Sequence, residues 1–270
     1  MTYFSFLLTF VAVPALILAV VAVVDGRRGK TVPPSLRNWP IWAATLLHIV
    51  LAVVYTTPWD NYLVATGVWV YDPRLVIGIT LGWVPIEEYT FFVVQTILAG
   101  LWLLFLMRHV PLPRQMAALR SGWRYAPLPF IGVVWLASVI ILAAGWAPGT
   151  YLALILAWAL PPIALQVGFG GDILRRYGRL TVLAIASLTL YLAAVDSLAI
   201  GGGTWTIAPA TSLPLLIGGV LPVEEFVFFL ATNTLITFGS ILVMSQEGGE
   251  RLREIRQRLS LRKTAPQVHE

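Results

Sequence analysis

Four glutamates stand inside otherwise apolar stretches, in two copies of one pattern: Pro85-Ile86-Glu87-Glu88 and Pro222-Val223-Glu224-Glu225. Each copy runs into aromatics, Tyr89-Thr90-Phe91-Phe92 in the first and Phe226-Val227-Phe228-Phe229 in the second. A carboxylate at bilayer depth is costly, so ionisable groups there point to function. A carboxyl withdrawn from water holds its proton more firmly, and two close together separate their proton affinities. Such a pair can keep a proton at neutral pH and give it to a weakly basic substrate. On a helix, Phe91 and Phe92 follow Glu88 at the spacing that stacks side chains on one face, as Phe228 and Phe229 follow Glu225. Aromatic faces stabilise cations by their quadrupole, by up to about 2 kcal/mol where water is excluded. Acid, aromatic wall and dry cavity together describe a site that makes and steers a carbocation. Two other readings account for the acids alone: protonated glutamates bonded to a neighbouring helix, and a proton or ion pathway.

The elements that carry these residues are membrane helices. With 270 residues, 58% of them hydrophobic and 11% charged, the chain falls outside the range of a soluble globular domain. Seven apolar runs are long enough to cross about 30 Å of hydrocarbon. They extend from Tyr3 to Val24, Pro40 to Thr57, Leu75 to Met107, Pro127 to Gly145, Thr150 to Gly170, Leu180 to Ile200 and Ser212 to Met244. The third and seventh exceed one straight span, and they carry the acidic motifs. A proline inside a helix frees the carbonyl four residues earlier and bends the axis. Pro85 and Pro222 are therefore expected to break their helices at Leu81 and Gly218 and shape a pocket there. At 1.5 Å per residue the glutamates would then lie about 17 Å inside the span, near the bilayer centre, or shallower if the segment from Leu75 to Val84 is unwound or re-entrant. Adjacent glutamates point about 100° apart, so one can face a pocket while its neighbour reaches a flanking helix.

Every Lys and Arg except Arg74 falls on one side of these spans: Arg27, Arg28, Lys30 and Arg37, then Arg108, Arg114, Arg120 and Arg124, then Arg175, Arg176 and Arg179, then the tail from Arg251 to Lys263. Short cytoplasmic loops retain such residues, which sets the N-terminus outside and the C-terminus in the cytoplasm. Topology and anionic lipid headgroups account for the net charge of +5 without a nucleic-acid partner. The first span lacks the basic leader of a cleaved signal and reads as a retained helix. Cysteine is absent, which removes disulfides, thiolate catalysis and cysteine metal sites.

The halves of the chain match. Tyr3 and Pro14 correspond to Tyr151 and Pro162 at one offset, and Asp60, Gly67 and Trp69 to Asp196, Gly203 and Trp205 at another. The expected architecture is an all-α polytopic membrane protein with two parallel three-helix repeats joined by a linker helix. Residues 1–110 form the first repeat, 111–149 a basic loop and the linker, 150–245 the second repeat and 246–270 a basic tail, a short helix followed by a disordered end.

These motifs resemble the lycopene cyclase domain family, integral membrane carotenoid cyclases found as two-subunit bacterial, fused archaeal and fungal bifunctional forms. The family motif is Pro-x-Glu-Glu/Asp once per three-helix half; Met1-Thr2-Tyr3 and the Asp60 to Trp69 and Asp196 to Trp205 patterns resemble it too. The resemblance runs to about Met244. It implies a multi-pass enzyme of the cell membrane, an isomerase cyclising the linear end groups of lycopene to β-ionone rings. An acid protonates C2, the C5=C6 bond attacks the cation and the C6 proton leaves. Glu87 and Glu224 match the first acid of the motif and rank ahead of Glu88 and Glu225 as acid or base. Tyr89, Phe92, Phe226 and Phe229 are candidates for cation stabilisation. Acid and base return the proton within one turnover, so no redox cofactor or metal is called for. The partners are the bilayer and a hydrophobic carotenoid, with a homo-oligomer or association with other carotenoid enzymes left open.

Other signals are weaker. No Gly-x-Gly-x-x-Gly fingerprint joins a strand to a helix, and Gly201-Gly202-Gly203 reads as a flexible turn. His48, Gln95, Gln166 and Asn233 read as hydrogen-bonding links between helices. Asp60 and Asp196 read as caps near helix ends or as functional groups, and Trp59, Trp69, Tyr71 and Trp205 as interface anchors. An intramembrane prenyltransferase would need paired Asp-rich motifs for magnesium diphosphate, whereas Asp25 and Asp172 are isolated. A small transporter or proton channel is the rival from another class.

Overall fold

The computed structural model describes residues 1–112 and 118–264. Arg114, counted with the basic groups, and 265–270, the end of the expected tail, lie outside them. Among the described residues, seven helices are long and apolar enough to cross a membrane. They are α1 (Tyr3–Arg27), α2 (Ile41–Ala65), α3 (Ile86–His109), α4 (Leu128–Ala143, preceded by a helical turn at Gly122–Tyr125), α5 (Thr150–Arg176), α6 (Gly178–Gly201) and α7 (Val223–Met244). A polar helix, α8 (Gln246–Thr264), follows. Among the described residues, strand is confined to short pieces: β1 (Trp69–Tyr71), β2 (Thr80–Leu81), β3 (Val84–Pro85), β4 (Trp205–Ile207), β5 (Leu216–Ile217) and β6 (Leu221–Pro222).

The centre belongs to α3 and α7, whose apolar windows are 61% buried, against 6% for α4. Helix α4 packs on α5 and turns Phe130, Val133 and Ile140 outward, as a lipid-facing helix must. Prolines at matched places tie the bundle together. Pro14 leaves the Phe10 carbonyl without its helical partner, and the Tyr191 hydroxyl of α6 donates to it at 2.7 Å. Pro162 does the same to the Trp158 carbonyl, which accepts from Tyr55 of α2 at 2.9 Å. Pro161 frees the Ala157 carbonyl, taken by the Trp135 indole of α4 at 3.2 Å.

Pro85 and Pro222 do not break helices. They are the N-cap residues of α3 and α7, with extended backbone at Pro85 (φ −65°, ψ 148°). The apolar residues before them form hairpins, Thr80 facing Pro85 and Leu216 facing Pro222. Gly82 turns the first at φ +69°, and Gly218 and Gly219 turn the second at +62° and +75°. Left-handed backbone at these glycines, with proline closing each strand, ends the helix where hydropathy alone would continue it. The glutamates consequently occupy the first turn of each helix, within about 5 Å of its start rather than 17 Å inside it.

At the other end of the bundle the basic residues meet. Arg251 pairs with Asp172 at 2.7 Å, Arg176 with Glu247 at 3.1 Å and Lys30 with Asp25 at 3.2 Å. Asp25 and Asp172, the carboxylates a diphosphate-binding reading would need, are thus engaged by cations. Arg74, the exception in the charge pattern, is answered locally by Asp72 at 2.8 Å. Hydrogen bonds from Arg74 hold the Asp72 carboxyl down at about 2.

Candidate active site

Both second glutamates reach one pocket. Glu88 and Glu225 line it together with Tyr3, Tyr71, Asp196 and a wall of aromatic rings from Phe6, Trp69, Phe91, Trp205, Phe228 and Phe229. The starts of α1, α3 and α7 and the end of α6 bring these groups together, and β1 and β4 close over them. Glu88 and Glu225 are 5% and 3% exposed. Carboxyl groups so far from water need donors, and tyrosines supply them. Tyr3 and Tyr71 donate to Glu88 Oε1 at 2.6 and 2.7 Å, and Tyr151 donates to Glu225 Oε1 at 2.7 Å. Both bonds to Glu88 thus fall on one of its two oxygens. The positive ends of α3 and α7 add further support for negative charge in the first turn.

Glu87 and Glu224 point elsewhere. Each is fully buried, and each accepts a backbone N–H from the segment ahead of its own hairpin: Ile77 to Glu87 and Leu213 to Glu224, both at 2.7 Å. They fasten the loops that lead into the helices and do not line the pocket. The 100° step between neighbouring helical residues produces this split.

The aromatic candidates divide in the same way. Phe229 lines the acid pocket, while Phe92 lines a separate cavity. Tyr89 donates to the Leu81 carbonyl at 2.9 Å and so braces the first hairpin, and Phe226 packs against the core outside the pocket. One residue past the acid, both rings are turned off its face. The rings that meet the acids are Phe91 and Phe228, three residues after Glu88 and Glu225. Tyr71, Trp69 and Trp205 are buried or half-buried members of the site rather than interface anchors, and Trp59 stacks on Phe228 at 5.8 Å and on Trp158 at 4.7 Å. Tyr3 and Tyr151 were visible in the sequence as matched residues, but their role was not.

Asp60 and Asp196 are not caps. Both are buried inside helices beside the pocket, and Asp196 accepts the Trp205 indole N–H at 3.1 Å. Gln95 donates to Asn233 at 3.4 Å, Asn233 to Thr189 at 3.1 Å and Gln166 to the Leu235 carbonyl at 2.9 Å, so these amides do join helices. His48 instead bonds within α2, to the Ala44 carbonyl at 2.7 Å.

The pocket is small, about 30 Å³, room for one water. Its rings meet tilted, edge-on and stacked: Tyr3 against Trp205 at 4.7 Å, Phe228 against Phe229 at 5.4 Å and Tyr3 against Tyr71 at 6.1 Å. A small, aromatic-walled space holding two carboxyl groups and tyrosine hydroxyls can supply a proton, shelter a cation and take a proton back.

Among curated proteins, the "Lycopene beta-cyclase" of Halobacterium salinarum is 35% identical over 249 residues, covering 89% of this chain and 95% of that protein. The "Bifunctional lycopene cyclase/phytoene synthase" of Podospora anserina is 41% identical over 197 residues, which is 71% of this chain and 33% of the fungal protein. Its counterpart in Phaeosphaeria nodorum is 40% identical over 205 residues, 73% of this chain and 35% of that one. No family model and no solved structure matches the chain.

Proposed function

Because the chain belongs to the lycopene cyclase family, we propose that it is a lycopene beta-cyclase whose acid and base are Glu88 and Glu225, acting in one composite site. The observation that carries this reading is the placement of both carboxyl groups on a single aromatic pocket.

In the proposed cycle Glu88, as the carboxylic acid, gives its Oε2 proton to C2 of the terminal double bond and leaves a tertiary cation at C1. The hydroxyls of Tyr3 and Tyr71 stabilise the carboxylate that remains. The C5=C6 electron pair closes the C1–C6 bond and moves the cation to C5, between the faces of Phe91, Phe228 and Trp205. Glu225 takes the C6 proton, and the β-ring double bond forms. One proton enters and one leaves, so the reaction is a redox-neutral isomerisation, complete once Glu225 has released its proton to solvent and Glu88 has taken one up. Glu87 and Glu224 are positioning residues that hold the loops over the pocket. A ring end group exceeds the closed space, so the aromatic side chains part to admit it.

The same reading places the chain in the cell membrane with its N-terminus outside, its basic ends in the cytoplasm and two parallel three-helix units joined by α4. Its partners are the bilayer and the linear carotenoid. Producing the chain in a lycopene-accumulating host tests the function. The pigment becomes cyclised, and membranes assayed in D2O place one deuterium at C2 of each new ring. Unchanged lycopene despite good membrane expression would sink the reading.

A further inference from the structure

Next to the acid pocket lies a cavity of about 210 Å³ that the cyclisation steps do not use. Phe228 lines both spaces, so they are neighbours separated by a ring. Two features create the cavity. Pro161 and Pro162 interrupt the hydrogen-bond ladder of α5 beside it. Helices α2 and α5 meet there through long side chains, the Tyr55 hydroxyl on the Trp158 carbonyl and the Trp59 indole on the Leu154 carbonyl, rather than by close backbone approach. Ala52 and Thr56 on α2 are too small to fill the gap. Leu51 and Tyr55 at its rim are 51% and 44% exposed, where lipid surrounds the helices. From His48 to Thr56 the cavity follows α2 for about 12 Å, an elongated space.

We propose that this cavity is the berth of the polyene chain behind the end group being cyclised, and that the substrate passes from the lipid through it, past Phe228, to the acids. This rests on the cyclase reading of the acid pocket. The occupant follows from continuity with that pocket, from the apolar wall of Leu51, Ala52, Phe92, Leu235 and Ile236, among which His48, Gln95 and Gln166 are hydrogen-bonded to the helices, and from the opening toward lipid.

The other half of the molecule sharpens the assignment. The correspondence of Asp60 with Asp196 sets Leu51, Ala52 and Thr56 against Ser187, Leu188 and Leu192. A cavity opens there too, beside Pro14 and Tyr191, but it shares no described lining residue with the acid pocket. Leu192, in place of Thr56, lines the acid pocket itself and closes that way out. A long chain therefore leaves the acids on the α2–α5 side alone. The two ends of a symmetric polyene are cyclised in succession, with release and reversal between them.

Ala52→Leu combined with Thr56→Leu gives the first cavity side chains that the second half already carries. Leu235→Trp fills it from α7, and Ile17→Trp fills the second cavity as a control. The probe is a linear polyene diester without cyclisable ends, added to purified protein in lipid nanodiscs and read by induced circular dichroism in the polyene band. The expected result is a band in the wild type, in Ile17→Trp and in Glu225→Gln, with binding at least about tenfold weaker in both cavity variants. No band in the wild type, or a band retained at full strength in both cavity variants, overturns the proposal. Because the probe does not react, a protein that binds it yet leaves lycopene unchanged would defeat the catalytic assignment and leave the berth standing.

Discussion

The surroundings of Glu88 and Glu225 are alike in plan and unequal in detail. Strands β1 and β4 pair about a local two-fold, Val70 opposite Thr206, so Tyr71 and Ile207 occupy the same place in the two halves. Tyr71 gives Glu88 a second hydroxyl, and Ile207 gives Glu225 none. Asp196 accepts the Trp205 indole, whereas both oxygens of Asp60 are buried without a partner among the described residues. A doubled framework thus sets two carboxyl groups at equivalent positions, and single substitutions give them different neighbours. The carboxyl better able to bear negative charge suits the acid that must give up a proton, and the less supported one suits the base. Chemistry that first adds and then removes a proton gains from that inequality.

The comparison is broken most severely at the acids. Glu88→Gln or Glu225→Gln is expected to lower lycopene turnover by about 10²–10⁴-fold at unchanged membrane levels, read by chromatography of the pigments. The hydroxyls come next. Tyr71→Phe removes one charge-assisted hydrogen bond, worth about 1.5–3 kcal/mol, and should slow turnover at least about tenfold. Ile207→Tyr equalises the halves and should also slow turnover, by weakening Glu225 as a base. At the loops, Glu87→Ala removes the carboxyl acceptor of the Ile77 N–H and should cost about 1–3 kcal/mol of stability in denaturant titrations, while Glu87→Gln keeps an acceptor and should cost less. Loss of turnover in Glu87→Gln as deep as in Glu88→Gln would return the acid role to the first glutamate. The smallest effect is at Asp72 and Arg74. A carboxyl whose value is depressed stabilises the fold above its ordinary range and loses that support as pH falls toward about 2. This pair is exposed, so Arg74→Ala should leave turnover and melting temperature unchanged at neutral pH.

Much of this was legible in the residues. Length and hydropathy specify seven helices, because crossing lipid demands an unbroken apolar run with internally paired backbone. The duplicated glutamates and the matched Tyr3 and Tyr151 mark the site. Hydropathy did not reveal where α3 and α7 begin, since Leu75 to Val84 is apolar whether helical or folded as a hairpin. The left-handed glycines and the N-cap prolines decide it. Once the helix starts at Ile86, the facing of each acid follows, with Glu88 and Phe91 inward and Glu87 and Tyr89 toward the loops. Trp69 and Trp205 resembled interface anchors because an amphipathic ring near a span end fits both places. Only the β1–β4 pairing shows that they fold over the acids.

The central claim is one site built from two unequal acids, and comparison of single with double variants tests it most directly. If Glu88 and Glu225 serve the same pocket, Glu88→Gln, Glu225→Gln and the double variant all fall to a similarly low turnover, because losing either member already stops the cycle. If each half held an independent site, either single variant would keep about half the wild-type rate and only the double would be inactive. That second outcome would contradict the account.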